Sequence, residues 1–497
     1  MKSPRSPDVL LVVLDCVRAR DFFGGEDAVP GLRATEALAR EGTTFQRAVA
    51  PASWTFPSTA SMFTGQYPWE SGVYGLKKGI QLRPESTLAD NLRARGFQTA
   101  SFSANPLISP RTGLGRGFET SLWGSFSDCF LRKLTPRISA PRGPQPGPEP
   151  NRVESRFRES FQDAFMQTLR RYPLLPDVGT RLISRAFGID PDTPSHVAPW
   201  IEPSLARWLT DARGERPVFC FVNLLDAHDP YIGLPSRIPD SAEWFEALRV
   251  SQQTRHLRGG PVRLDPEQAN ALHWLYRESI RVLDERLEAI FQIFRGARDW
   301  DNTCVVVTSD HGQAFGEEDG VFHTHGTPDV VHRIPLIVKP AGDLSLPDPN
   351  GGWTAVAHLP SIIASAAFGN GTSLLPHEPA NGHAESHESA SVALSLADVP
   401  DDGAVPLHDG RAEGPPEGPW VVGYWHEYKM AVDTQSLGAR LFAVAHNGND
   451  SEELRDRNDP SLIPLSEAVT RAASRMREAG RALLPRDVSS RLRSWGY

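Results

Sequence analysis

Three apolar runs, each long enough for one buried strand and each released onto Asp or His, constrain this chain more than any other feature. Val9-Leu-Leu-Val-Val-Leu14 ends at Asp15. Pro217-Val-Phe-Cys-Phe-Val-Asn-Leu-Leu225 empties into Asp226-Ala-His228-Asp229-Pro-Tyr231. Thr303-Cys-Val-Val-Val-Thr308 is followed by Ser309-Asp310-His311-Gly312. Apolar runs without polar alternation are strands buried on both faces, as in a parallel sheet covered by helices. In open α/β sheets, ligands bind outside the carboxyl ends of the strands. One Asp after a strand is an ordinary turn former. Three such ends gather carboxylates and imidazoles at one edge, a donor set suited to zinc or manganese.

The rest of the first 125 residues keeps this rhythm. A strand is expected at 8–14, helices near 30–41 and 86–95, and a strand near 97–103; the alternation argues a parallel sheet. Between them, Ser53-Trp-Thr-Phe-Pro-Ser-Thr-Ala-Ser-Met-Phe-Thr-Gly65 reads as a sharp turn entering a helix at Pro57, with Thr55 just ahead of the first turn. A hydroxyl at a helix N-terminus sits among free N–H groups, a berth for a phosphate or sulfate group. Read as an ordinary capped helix, the same stretch carries no chemistry. Asn105, after the strand near 97–103, has an amide able to donate to a substrate oxygen; a turn-forming Asn before Pro106 is the plain alternative.

The chain has 497 residues, enough for two or three domains, and a net charge of −9, which does not favour nucleic acid. No apolar run reaches the roughly 18–20 residues of a membrane span. The N-terminus shows no signal-peptide pattern, so a cytoplasmic location is expected. Cys16, Cys129, Cys220 and Cys304 show no paired spacing and read as reduced packing residues. The Pro/Gly/Arg-rich segment 136–150 reads as a linker. Residues 128–215 read as an insertion, a candidate lid. A packing helix is expected over 264–297, a long loop over 369–418 in which His377, His383 and His387 are solvated, then strands and a helix near 465–484.

Several blocks together resemble a known family. Thr55-Phe-Pro57-Ser58-Thr59-Ala-Ser-Met-Phe63-Thr64-Gly65 follows the spacing Cys or Ser, x, Pro, Ser, Arg, three residues, Leu or Met, Thr, Gly of the sulfatase branch of the alkaline phosphatase superfamily. Tyr67-Pro68 to Gly72-Val73, Asp15-Cys-Val-Arg18, Asp310-His311-Gly312, His325-Gly326 and Arg333-Ile-Pro335 resemble further blocks in the same order. The resemblance implies an α/β fold: an alkaline-phosphatase-like sandwich around a mainly parallel sheet, with a small C-terminal antiparallel α+β subdomain. It implies a catalytic domain over 1–370 and a linker loop with the subdomain over 371–497.

Two departures bear on the chemistry. Thr55 stands where the family places the Cys or Ser that becomes formylglycine, and Thr59 replaces the supporting Arg. A secondary alcohol cannot give that aldehyde hydrate. Thr nucleophiles resemble instead other members of the superfamily, so a metal-activated Thr55 attacking a phosphoric or sulfuric ester is expected. Asp15, Thr55, Asp310 and His311 are assigned to one metal. Asp226, His228 and His325 form a second cluster, which either holds another ion or contacts the substrate, with His228 or His325 as general acid. His323 competes with His325, which is preferred for its following Gly326. The expected cofactor is one or two divalent ions, zinc or manganese ahead of calcium, because Cys16 replaces a second Asp. The expected partner is a small anionic ester bound with help from Asn105 and His228. A transferase of the same superfamily is the nearest rival; an inactive binding protein with this fold is the alternative of another class.

Overall fold

The computed structural model describes residues 5–23, 28–73, 87–124, 198–229, 264–317, 321–323, 327–375, 392–397, 419–444, 451–454 and 460–482, apart from isolated positions within them, together with Tyr231, Ala247 and Val250. Its main sheet has seven strands: β1 (Asp8–Leu14), β2 (Thr43–Thr44), β3 (Gln98–Ser103), β4 (Thr120–Trp123), β5 (Val218–Leu224), β6 (Thr303–Ser309) and β7 (Leu336–Lys339). Their spatial order is β2-β7-β6-β1-β5-β3-β4. Strand β1 lies centrally and parallel to both neighbours, with Val12 opposite Val222 on one side and Val307 on the other. Only β7 runs against the rest.

The three apolar runs lack alternation because both faces are covered. Leu10, Val12, Leu14, Val222 and Val307 belong to one core, and Val9, Leu11, Val13, Phe219, Phe221 and Val306 to the other. Five longer helices complete the layers: α1 (Thr55–Thr64), α2 (Ile201–Asp211), α3 (Pro266–Ala297), α4 (Leu359–Phe368) and α5 (Ile463–Ala482). Helix α3 starts at a reciprocal cap: the Asp265 carboxylate accepts from Gln268 N at 2.8 Å, and Pro266 needs no donor partner there. Its Leu272, Leu275, Leu283, Leu287, Ile290 and Phe294 are buried, as their spacing predicts. Helix α2 falls within the 128–215 span, yet Ile201, Leu205 and Leu209 pack in the same core as α3, so this stretch is part of the α/β body and not a lid. The remainder of that span through 197, the 136–150 linker, Cys129, and His377, His383 and His387 lie outside the described residues.

A second sheet of five antiparallel strands follows: β8 (Ala393–Ala397), β9 (Trp420–Trp425), β10 (Tyr428–Asp433), β11 (Ala439–Val444) and β12 (Ser451–Glu453), paired in that order and covered by α5. Strand β8 corrects the expectation of a loop throughout 369–418. It pairs with β9 and also with the segment ahead of α1: Ser53 N donates to Leu396 O at 2.8 Å, and Leu396 N to Pro51 O at 3.0 Å. Both partners are remote in sequence, so the strand is made by tertiary pairing and not by its own composition. Fully buried His332 adds a bond to this sheet, its Nδ1 2.8 Å from Ser395 Oγ.

A buried arginine ties α3 to α2 and to the end of β5. Arg286 Nη1 lies 2.6 Å from Asp226 Oδ2, Nε lies 2.6 Å from Glu202 Oε1, and Nη2 donates to Ala198 O at 3.0 Å. Asp226 is fully buried, so its charge is balanced by Arg286. The metal-ligand role expected for Asp226 is corrected accordingly: the carboxylate already has a cation.

Two expectations follow. Arg286→Met should destabilise the protein by about 3–5 kcal/mol, because it strips the counter-charge from a buried carboxylate. Adding Asp226→Asn should restore part of that loss, both read from urea unfolding midpoints. The second concerns His332, whose pKa is pushed down from 6.5 to about 3 by burial and, next, by Lys429. Folding selects its neutral form, so this contribution is complete above pH 6.5 and lost as pH falls towards 3. The thermal midpoint should fall less across that window in His332→Gln than in the parent; equal falls would refute it.

Candidate active site

Helix α1 begins at Thr55 itself, two residues earlier than Pro57 suggests, with Trp54 as the extended residue before it and left-handed Gly65 after it. Thr55 therefore presents its hydroxyl from the first helical turn, buried to 4% exposure. Thr55 Oγ1 lies 3.4 Å from Asp15 Oδ2 and 3.4 Å from His311 Nε2. Asn105 Nδ2 donates to Asp15 Oδ2 at 3.0 Å and lies 3.5 Å from Thr55 Oγ1. The first and third apolar runs, the nucleophile helix and the Asn105 turn thus converge at the carboxyl end of the sheet. Short polar bonds pin them together. Ser309 Oγ accepts from Val17 N at 2.9 Å and donates to Leu14 O at 2.5 Å, while Ser58 Oγ donates to Asp310 O at 2.6 Å.

His311 has its orientation set by its neighbour. Nδ1 donates to Gly312 O at 3.0 Å, which leaves Nε2 as the lone-pair nitrogen facing Thr55. Gly312 packs so tightly that a Cβ there would collide with Val330 O, and its N–H donates to Val331 O at 2.7 Å. Only glycine fits this position.

The electrostatics point to a cation. Asp15 and Asp310 are both fully buried. The Asp310 carboxyl is held above the usual carboxylate range, first by burial and next by the Asp15 charge. Asp310 Oδ1 accepts from Cys16 N at 3.3 Å and from His311 N at 2.9 Å; Oδ2 accepts no hydrogen bond of ordinary geometry among the described residues and faces His311 Nε2 at 3.5 Å. One ligand atom each from Asp15, Asp310 and His311 lie within 4.8 Å of one another. Two buried like charges, an orphaned carboxylate oxygen and an aligned imidazole fit a divalent ion held by hard oxygens and one nitrogen.

His228 stands at the rim, 11% exposed, with Nδ1 2.7 Å from Asp229 O and 3.3 Å from Asp229 Oδ1. Its ring is 5.5 Å from that of His323, which is 4.4 Å from the His311 ring. Among the described residues, His323 therefore completes the histidine group; His325 lies outside them. The signal for His323 is its place just after Val321–Phe322, a two-residue strand paired with Ala314–Phe315, which aims the chain back over Ser53. Cys16, next to Asp15, holds its backbone in the left-handed region with φ 67° and directs Sγ to 3.3 Å from Asp15 Oδ1. Arg18 is a buried structural cation and not a substrate anchor: Nε is 2.5 Å from Asp21 and Nη1 2.7 Å from Glu317. Arg116 pairs with Asp90 at 2.9 Å. No helix among the described residues is long and apolar enough to cross a membrane.

Known proteins share this arrangement of elements. The multifunctional alkaline phosphatase superfamily protein PehA of Trinickia caryophylli is 26% identical over 374 residues, covering 67% of this chain and 68% of that protein. The phosphonate monoester hydrolase of Agrobacterium radiobacter superposes with a TM-score of 0.57 at 18% identity, over 95% of this chain and 96% of its own. A 2-O GAG sulfatase superposes with a TM-score of 0.56 at 15% identity, over 96% and 94%. At these identities the structures speak for the fold. The sequence pattern of the sulfatase family matches residues 7–127 and 201–345, more than half of the chain and all the strand ends that build the site. The chain belongs to the sulfatase family of the alkaline phosphatase superfamily, and is an enzyme acting on ester bonds.

Proposed function

We propose that this enzyme hydrolyses sulfate, phosphonate or phosphate esters through a covalent intermediate on Thr55. The observation that carries the reading is the Thr55 hydroxyl within 3.4 Å of both Asp15 and His311, beside a buried carboxylate pair that calls for a cation. Asp15, Asp310 and His311 would hold one divalent ion, zinc or manganese by donor type. When bound, such an ion lowers the pKa of a neighbouring hydroxyl and offsets charge on an oxyanion.

The chain's own groups then have distinct parts. Thr55 Oγ1, its proton released to solvent, attacks the central phosphorus or sulfur, the bond to the leaving alcohol breaks, and Oγ1 takes a proton up again when water displaces it. Asn105 Nδ2, already 3.5 Å from Oγ1, donates to an oxygen of the reacting group. His228, with its Nδ1 anchored on the Asp229 carbonyl, supplies the proton that the departing alkoxide needs, and recovers one from the water that releases the product. Asp15 and Asp310 would set two negative charges against one divalent ion, and the buried arginines Arg18 and Arg286 already face carboxylates. That balance suits a monoanionic group, such as a sulfate monoester or a phosphonate monoester, over a dianion. The names of the relatives, a phosphonate monoester hydrolase and a sulfatase among them, support the same range.

Three measurements test this. On nitrophenyl esters of sulfate, phenylphosphonate and phosphate, Thr55→Ala should lose at least about 1,000-fold in kcat/KM, while Thr55→Ser keeps more. Acid quenching of the parent should leave a mass-shifted peptide spanning Thr55 that Thr55→Ala lacks; retained activity in Thr55→Ala would overturn the assignment. Chelation should abolish turnover, with zinc or manganese restoring it at one or two equivalents. A folded, metal-loaded protein without turnover on any ester would contradict the proposal.

A further inference from the structure

A carboxamide interrupts the apolar strand next to β1. Strand β5 reads Val218-Phe-Cys-Phe-Val-Asn-Leu224 and is buried throughout, with Asn223 itself fully buried. By the alternation of a strand, Asn223 shares a face with Phe219 and Phe221, whose core also contains Phe56, Ala60 and Phe63 of the nucleophile helix α1. In register it stands beside Val13 of β1 and Ser103 of β3, each two residues ahead of a site residue, Asp15 and Asn105.

The amide oxygen serves the Asn105 turn. Asn223 Oδ1 accepts from Asn105 N at 3.3 Å and from Ser103 Oγ at 3.1 Å, and Asn223 O accepts from Ala104 N at 3.1 Å. Asn105 N also donates to Ser103 Oγ at 3.1 Å. The Asn105 side chain is set in turn by Leu107 N, which donates to Asn105 Oδ1 at 3.0 Å and so turns Nδ2 towards Asp15 and Thr55. A backbone N–H only donates, so the oxygen of the Asn223 amide faces Asn105. That orientation leaves Asn223 Nδ2 buried without a hydrogen-bond partner among the described residues. An unpartnered buried donor lowers stability, and an apolar residue would spare the strand that loss. What the asparagine adds is its grip on Asn105.

We propose that Asn223 is a positioning residue for the reaction: its Oδ1 fixes the backbone of Asn105 and so holds Asn105 Nδ2 where it meets an oxygen of the reacting group. This rests on the reading that Asn105 is that donor. Without the Asn223 amide, Ser103 Oγ is still an acceptor for Asn105 N, so the turn loosens and does not unfold. A donor that must meet charge developing on an oxygen loses its effect when displaced by a fraction of an ångström. The loss therefore falls on kcat and spares KM.

A double-mutant cycle in the full, metal-loaded chain tests this, with kcat and KM measured on the nitrophenyl ester that the parent turns over fastest. Asn105→Ala should lower kcat about 100-fold, as removal of an oxyanion donor does. Asn223→Leu, close in shape but without the acceptor, should lower kcat at least about tenfold with KM within about twofold. Added to Asn105→Ala, Asn223→Leu should cost no more than about a further twofold, because the group it positions is gone. A general loosening of the fold would instead lower kcat equally in both backgrounds. Equal losses in the two backgrounds, or an unchanged kcat in Asn223→Leu, would overturn the role of Asn223 and leave Asn105 as donor. An unchanged kcat in Asn105→Ala would overturn the donor reading and this proposal with it. Should Asn223→Leu fail to fold, Asn223→Ala carries the same cycle.

Discussion

Two carboxylates forced together out of water organise this molecule. Asp15 and Asp310 end adjacent parallel strands, both fully buried. Among the described residues no lysine or arginine pairs with them; the bonds to them come from backbone N–H groups, Asn105, Thr55, Cys16 and His311. Such a pair is costly without a counter-charge: burial and then the Asp15 charge hold the Asp310 carboxyl above the usual carboxylate range. Natural folds keep arrangements of this kind where the missing charge arrives with a ligand. Everything near the pair is fitted to it: a glycine where no Cβ could pass, a hydroxyl at a helix start, and an imidazole turned by the Gly312 carbonyl.

The contrast with the neighbouring strand end is instructive. Asp226 follows β5 as Asp15 follows β1, and from sequence the two look alike. Arg286 makes the difference. It comes from α3, some 60 residues further on, and its guanidinium meets Asp226 and Glu202 together. One carboxylate is thus neutralised by the chain and becomes structural, while the other two remain uncompensated. The sequence carries no mark of that choice, because it depends on which face of a long helix reaches the strand end.

What was legible followed from local physics. The apolar runs gave the buried parallel strands because both sheet faces are covered, and the α3 spacing gave its buried stripe. The placement of Asp15, Thr55, Asp310 and His311 followed from strand ends plus the family spacing. What escaped was tertiary. Strand β8 exists only through its pairing with β9 and with Pro51–Ser53. Helix α2 follows a Pro/Gly-rich stretch of sequence but supplies core residues. His323 owes its place beside the His311 ring to the pairing of Val321–Phe322 with Ala314–Phe315.

The C-terminal sheet also acquires a reason from this geometry. Strand β8 is hydrogen-bonded on one edge to β9 and on the other to the backbone just ahead of Thr55. Lys429 and Tyr424 of the same sheet meet Asp329 at 3.0 and 2.7 Å, and Lys429 donates to Thr327 O at 2.9 Å. Asp329 opens the short helix Asp329–His332 whose Val330 and Val331 carbonyls press on Gly312. The sheet therefore braces both sides of the centre, the turn that delivers the nucleophile and the turn that delivers His311. Neither turn is closed by local hydrogen bonds alone. A site whose chemistry depends on sub-ångström placement of a hydroxyl against buried oxygens gains rigidity from such a brace. In this fold the subdomain is part of what holds the centre, and not an appendage to it.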